Sequence, residues 1–211
     1  MTNSGISGNT SRDLLQRFDR DVVSLKPDWV SICIGINDVW RQFDSPAIPD
    51  EQVSPEEYRS NVEKMILSVK DNVKGVFLMT PYYMEPNAED WMRKRMDTYG
   101  AICRELAEKY GCCFIDLQAV FNDYFQYRHS SYIAWDRIHP NQIGATVIAR
   151  AFLEKCGFDY NHRPGRRIKT NINTITKAEI CVFARSADFC FCNPLRYIII
   201  TRACRNGKLP E

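Results

Sequence analysis

Three short segments carry polar groups whose types and spacing could do chemistry. Residues 136–140 (Asp-Arg-Ile-His-Pro) place a carboxylate three residues before an imidazole. Residues 35–38 (Gly-Ile-Asn-Asp) follow an apolar run, and residues 5–10 (Gly-Ile-Ser-Gly-Asn-Thr) lie near the start. Each segment also has a simpler interpretation, because a lone histidine often caps a helix or packs in a core. Likewise, an Asn-Asp pair can form a turn, and a glycine can let the chain enter a helix.

Together, the three segments resemble motif blocks of the GDSL/SGNH hydrolase superfamily, a group of serine esterases. Residues 5–10 are similar to its second block, residues 35–38 to its Gly-x-Asn-Asp block, and residues 136–140 to its last block, Asp-x-x-His-Pro. The resemblance extends from residue 1 to about residue 160. Each motif alone is weak evidence, but three in the family's order and spacing are specific.

The resemblance implies a role for each of four residues in ester hydrolysis through an acyl-enzyme. His139 would be the general base, and Asp136 would fix the tautomer of its imidazole. The Gly8 N–H and the Asn37 side-chain amide would donate hydrogen bonds to the oxyanion. The expected substrates are small-acyl esters, such as carbohydrate acetyl esters or short lipid esters. No metal and no organic cofactor is expected.

The family's nucleophile is the serine of a Gly-Asp-Ser motif, and this motif does not occur in the 211 residues. Ser4, Ser7 and Ser11 lie near the second block but belong to its loop. The resemblance therefore predicts a domain that is truncated at its N-terminus and inactive in this form. The alternative hypothesis is a non-catalytic remnant or a ligand-binding pseudoenzyme.

Three further side chains are candidates for the substrate pocket. Trp40 and Arg41 follow the Asn-Asp pair, and Tyr82 lies on a loop after a predicted strand. Loops at strand ends often shape a binding site. Packing is an equally good explanation for Trp40 and Arg41.

The elements that must position these residues alternate between helical and strand patterns. Apolar residues recur at helical spacing from Leu14 to Leu25, and residues 29–34 then predict a buried strand. Residues 35–38 are predicted as a turn. Further strands at residues 75–79 and 113–116 are separated by predicted helices, the last of which runs from about Asn141 to Gly157. This alternation indicates parallel βαβ units, whose ligands bind at the carboxyl ends of the strands.

The fold class is therefore α/β, and the family resemblance makes it more specific. It implies a three-layer, flavodoxin-like parallel sheet with helices on both faces and the strand order 2-1-3-4-5. This chain would lack the first strand and most of the second, which leaves the strand at residues 29–34 with an unpaired apolar edge. Residues 178–184 or 195–201 could pair there; the other interpretation is a poorly ordered tail.

The predicted domains are residues 1–160, the hydrolase-like domain, and residues 161–211, a basic tail that contains cysteines and lies outside the family fold. Residues 1–162 have a net charge of −5, whereas residues 163–211 have +7. A basic tail could bind nucleic acid or anionic lipid. Its charges are scattered without a recognition motif, so the expected partner is a small-molecule ester and not a nucleic acid. The oligomeric state is left open.

Composition also bears on location. The chain has nine cysteines and no Cys-x-x-Cys pair, which favours reduced thiols over a zinc site or a disulfide framework. No apolar run is long enough to span a membrane, and the first residues lack a signal-peptide pattern. The sequence therefore predicts a cytoplasmic protein without a membrane span; the alternative is a signal peptide that an N-terminal truncation hides.

Overall fold

The computed structural model of the chain describes residues 2–158 and 198–201. The predicted strand at residues 178–184 and most of the basic tail lie outside the described residues. Within the described part, no helix has both the length and the apolar character needed to cross a membrane.

Among the described residues, five strands form one sheet in the order β1-β5-β2-β3-β4. Strands β2, β3 and β4 pair in parallel, whereas β5 is antiparallel to β2 and β1 is antiparallel to β5. The parallel part of the sheet confirms the α/β class expected from the alternating pattern. The strand bounds are β1 Thr2–Asn3, β2 Trp29–Cys33, β3 Gly75–Met79, β4 Cys113–Ile115 and β5 Ile198–Thr201.

Three of the described helices begin or end at capping residues that the sequence contains. Thr10 and Asp13 form a capping box at the first helix, Ser54 caps the third, and Gly111 ends the fourth in the left-handed conformation. The bounds are α1 Ser11–Asp21, α2 Ile36–Asp44, α3 Pro55–Val69, α4 Trp91–Tyr110, α5 Leu117–Phe125 and α6 Gln142–Lys155.

Helices cover both faces of the sheet. On one face, Phe77 of β3 packs against Phe152 of α6, with ring centroids 4.8 Å apart. Because successive side chains of a strand alternate between faces, the buried Val76 and Leu78 point to the opposite side. Helix α3 packs against both α1 and α4, and helix α5 packs against α6.

The structure corrects the predicted turn at residues 35–38. Gly35 is the N-cap of α2, so Asn37 and Asp38 lie in the first turn of a helix. Gly35 has a φ of +122°, and a Cβ there would lie 2.8 Å from the Tyr58 ring. The glycine allows β2 to pass directly into α2, because no side chain could occupy that space.

The structure also corrects the expected unpaired edge of β2. Val30 pairs with Ile200, and Ser31 pairs with Ile199, in antiparallel register. The pairing strand lies within residues 195–201, one of the two segments predicted to reach this edge. Backbone groups of β2 that would otherwise lack partners are satisfied by β5 in the described structure.

Candidate active site

Asp136 and His139 are in direct contact in the loop before α6. The imidazole Nδ1 and the carboxylate Oδ2 of Asp136 are 2.5 Å apart. The other carboxylate oxygen accepts hydrogen bonds from the backbone N–H groups of Ile138 (3.0 Å) and His139 (2.8 Å). The loop therefore wraps around the Asp136 carboxylate, and the structure brings this carboxylate and the His139 imidazole together.

Asp136 is held in its charged form. Partial burial acts to raise its pKa, but the hydrogen bonds from the His139 backbone, the imidazole and the Ile138 amide outweigh burial and lower it. A lowered carboxyl pKa stabilises the fold above the pKa of the unfolded chain. This contribution is lost as the pH falls through the folded-state pKa.

Trp40 connects His139 with helix α2. Its ring meets the imidazole edge to face, with centroids 5.5 Å apart and planes at 77°. The Arg41 guanidinium lies 5.0 Å from the Trp40 ring centroid and also pairs with Asp44 at 2.5 Å. Trp40 follows Asn37 by three residues, so the two side chains lie on one face of α2.

Asn37 in turn binds the loop that contains Gly8. Its side-chain Nδ2 donates a 2.9 Å hydrogen bond to the Asn9 carbonyl oxygen. Asn37 is only 6% exposed. Gly8 has a φ of +81°, and its N–H has no acceptor among residues 2–158 and 198–201. The fold thus assembles the segments around Gly8, Asn37 and His139 into one site.

A buried polar cluster fixes the relative position of these elements. The Asp38 carboxylate accepts bonds from the Ser11 backbone N–H (2.9 Å to Oδ2) and from the Ser11 hydroxyl. Asn61 of α3 donates to the Ser11 Oγ at 3.1 Å. Burial raises the pKa of Asp38 to about 6, although the Ser11 hydrogen bonds act to lower it. This cluster holds the start of α1, and with it the Gly8 loop, against α2.

Within the described structure, none of the serines near the second block forms a hydrogen bond with the His139 imidazole. The Ser4 hydroxyl donates to the Asp21 carbonyl oxygen at 3.1 Å. Ser11 is fully buried and bound to Asp38 and Asn61. The only hydrogen-bond partner of the His139 ring among the described residues is Asp136. Within the described residues, no serine hydroxyl is therefore hydrogen-bonded to the His139 imidazole.

Tyr82, which the sequence assigned to the substrate pocket, is fully buried. Its ring packs on Phe121 with centroids 4.9 Å apart. Tyr82 and Asn37 both line a small cavity of about 30 Å³ beyond the carboxyl end of β2. Tyr82 thus borders the site from inside the core, whereas Trp40 and Arg41 border it beside His139.

Sequence reasoning did not assign roles to Asp38 and Ser11. The only local signal was the position of Asp38 directly after Asn37 in the Gly-x-Asn-Asp block. The partner of Asp38 is 27 residues away, and no periodicity in the sequence indicates that contact.

The chain matches the model of the GDSL-like lipase/acylhydrolase family over residues 1–147. It is 47% identical over 160 residues to the acetylxylan esterase of Geobacillus stearothermophilus, a match that covers 76% of this chain and 73% of that protein. The crystal structure of an acetylxylan esterase from the same organism superposes with a TM-score of 0.74. That alignment is 47% identical and covers 75% of this chain and 72% of that one.

A second solved structure, an alpha/beta hydrolase from the metagenome of Lake Arreo in Spain, gives a TM-score of 0.71. It is 52% identical, over 72% of this chain and 69% of that one. Catalytic mutants of the Geobacillus esterase have also been solved, in which a serine, an aspartate or a histidine is replaced by alanine. Its aspartate and histidine are three positions apart, as Asp136 and His139 are here.

Proposed function

Because this chain belongs to the GDSL-like lipase/acylhydrolase family, we propose that Asp136 and His139 are the acid–base pair of an esterase. The observation that carries the proposal is the 2.5 Å contact between the Asp136 carboxylate and the His139 imidazole. Trp40 places this contact next to the helix that bears Asn37. The same spacing of aspartate and histidine in a catalytically studied esterase supports this assignment.

The proposed reaction is acyl transfer through a serine. The Nε2 atom of His139 accepts the proton of the serine hydroxyl as the serine attacks the ester carbonyl, and then gives this proton to the leaving alcohol. Water next attacks the acyl-enzyme, gives its proton to His139 and releases the carboxylic acid, while the serine oxygen takes the proton back. Asp136 holds the Nδ1–H and stabilises the imidazolium that forms. The Gly8 N–H and the second N–H of the Asn37 amide, which is not used by Asn9, stabilise the oxyanion.

The proposed substrates are small-acyl esters, and acetyl esters of carbohydrate come first among them. The support is the similarity, in sequence and in structure, to acetylxylan esterase from Geobacillus stearothermophilus. Trp40, Arg41 and Tyr82 are proposed to border the acyl or alcohol group, because Trp40 contacts His139 and Tyr82 lines the cavity beside Asn37.

The 211 residues contain no Gly-Asp-Ser motif, and the hydroxyls of Ser4 and Ser11 are hydrogen-bonded to groups other than His139. We therefore propose that this chain alone does not turn over esters. The lack of a serine hydrogen-bonded to His139 among the described residues favours a second candidate function, a pseudoenzyme that binds an ester or its carboxylate product without cleaving it.

The test compares the chain with a serine-complete version, in which the N-terminal segment of the Geobacillus esterase that includes its catalytic serine precedes residue 1. Hydrolysis of 4-nitrophenyl acetate and of acetylated xylo-oligosaccharides is measured for both. We expect activity only in the serine-complete version, and a fall of about 10³-fold or more in its His139→Ala variant.

His129→Ala is the matched control, because His129 is exposed and bonds only Ser131 among the described side chains. Equal activity of the His139→Ala and His129→Ala variants would contradict the proposed role of His139 as the general base. A folded serine-complete protein that binds acetylated oligosaccharide without hydrolysing it would favour the pseudoenzyme.

A further inference from the structure

The loop that contains Asp136 and His139 is attached to the segment that follows β3. The backbone N–H of Met84 donates a 2.9 Å hydrogen bond to the carbonyl oxygen of Arg137. The Arg137 guanidinium Nη1 donates to the Glu85 carboxylate oxygen Oε2. Both contacts fall on Arg137, the residue directly after Asp136, so they restrain the carboxylate that orients the imidazole.

Arg137 has a backbone conformation that needs such restraint. Its φ is +66°, in the left-handed region that disfavours residues with a Cβ. A non-glycine residue stays there only where surrounding contacts fix it. The turn at Arg137 allows the N–H groups of Ile138 and His139 to point back to the Asp136 carboxylate.

Glu85 is also held in place by contacts that do not involve Arg137. Its side chain is only 9% exposed. The Oε1 atom accepts a 2.8 Å bond from the Asn87 backbone N–H, and the Glu85 carbonyl oxygen accepts a 2.7 Å bond from Arg93. Arg93 is 5% exposed and binds Asp97 of the same helix at 2.9 Å. The carboxylate is therefore a rigid acceptor, unlike one in a mobile surface pair.

From these contacts we infer that Glu85 is a positioning residue for the Asp136–His139 pair. It acts through Arg137, by holding the loop in the turn that brings the imidazole N–H to the carboxylate. A contribution of Glu85 to catalysis rests on the proposed esterase function. Its role in holding the loop conformation does not depend on that function. A charge-assisted bond to a mostly buried carboxylate is strong enough to select one loop conformation.

The test is backbone hydrogen exchange in the chain as it exists. The reporters are the amides of Ile138 and His139, whose only acceptor in the described structure is the Asp136 carboxylate. Glu85→Gln keeps the shape of the side chain and removes its charge. We expect exchange at both amides to accelerate about tenfold or more, while the amide of Leu78 in β3 keeps its wild-type rate.

Glu89→Gln is the matched control. It is the same substitution on the same loop, at a side chain that is 80% exposed and paired with Lys94. Arg137→Gly is the second variant, since glycine accepts the left-handed turn but removes the guanidinium. It should accelerate the same two amides, and the double variant with Glu85→Gln should add no further increase.

The inference is overturned if Glu85→Gln leaves the exchange of Ile138 and His139 within about twofold of the Glu89→Gln control. If Glu85→Gln does not fold, the same exchange rates are measured for Arg137→Gly and judged by the same twofold limit. This variant is expected to fold because the Arg137 side chain is 47% exposed. Accelerated exchange together with an inactive serine-complete version would keep the positioning role and reject the esterase proposal.

Discussion

The side-chain amide of Asn37 donates a hydrogen bond to the carbonyl oxygen of Asn9, 28 residues earlier in the chain. This bond joins the first turn of α2 to the loop that contains Gly8. It uses one N–H of the amide and fixes the orientation of the other. The two proposed oxyanion donors are therefore placed by one shared contact.

Replacement of Asn37 by alanine should weaken catalysis more than binding. In the serine-complete version, we expect Asn37→Ala to lower kcat by about 10²–10³-fold with little change in KM, because the oxyanion develops only in the transition state. Steady-state kinetics with 4-nitrophenyl acetate measures both constants. Asn72→Ala, at an exposed asparagine, is the control. A variant that changes KM alone would show that Asn37 binds the ground state.

The buried Asp38 should make stability depend on pH. Burial raises its pKa from an ordinary value of 3.8 to about 6, so the folded state holds the proton more tightly than the unfolded chain. Its contribution to the free energy of unfolding is fully present below about pH 4 and is lost as the pH rises through 6. The loss amounts to about 2–3 kcal/mol over this window.

Asp38→Asn removes this titration and leaves the other groups in place. Urea unfolding at several pH values between 4 and 7 should show the wild type losing stability relative to the variant as the pH rises. Asp71→Asn, at a carboxylate that is 75% exposed, serves as the matched control. Parallel pH curves for the wild type and Asp38→Asn would contradict the raised pKa.

Gly35 and Gly8 should differ in their tolerance of alanine. Both have positive φ, and left-handed strain alone costs about 1–2 kcal/mol. At Gly8 the new Cβ meets no atom within 4 Å, whereas at Gly35 it would lie 2.8 Å from the fully buried Tyr58. Overpacking adds about 1–3 kcal/mol at Gly35. Thermal unfolding of the two variants checks this order, and equal losses would contradict it.

The sequence by itself determined the features that depend on neighbouring residues. The capping box at Thr10, the cap at Ser54 and the left-handed end at Gly111 each act within a few residues, and the helices start and stop there. The contact of Asp136 with His139 is also local, because three residues of loop bring the two groups together. For this reason the proximity of the two side chains could be expected from the sequence, whereas their proposed roles came from the family resemblance.

Only the tertiary structure decided the long-range contacts that make a site of these parts. Trp40 against His139, Asn37 on Asn9, and Glu85 on Arg137 join residues from different elements. Gly35–Asp38 became a helix start and not a turn, since β2 leads directly into α2 beside the Tyr58 ring. The sequence also left two candidate segments for the free edge of β2, and the structure shows that β5 pairs there. Sequence patterns report local preference, whereas such contacts depend on how separate elements pack together.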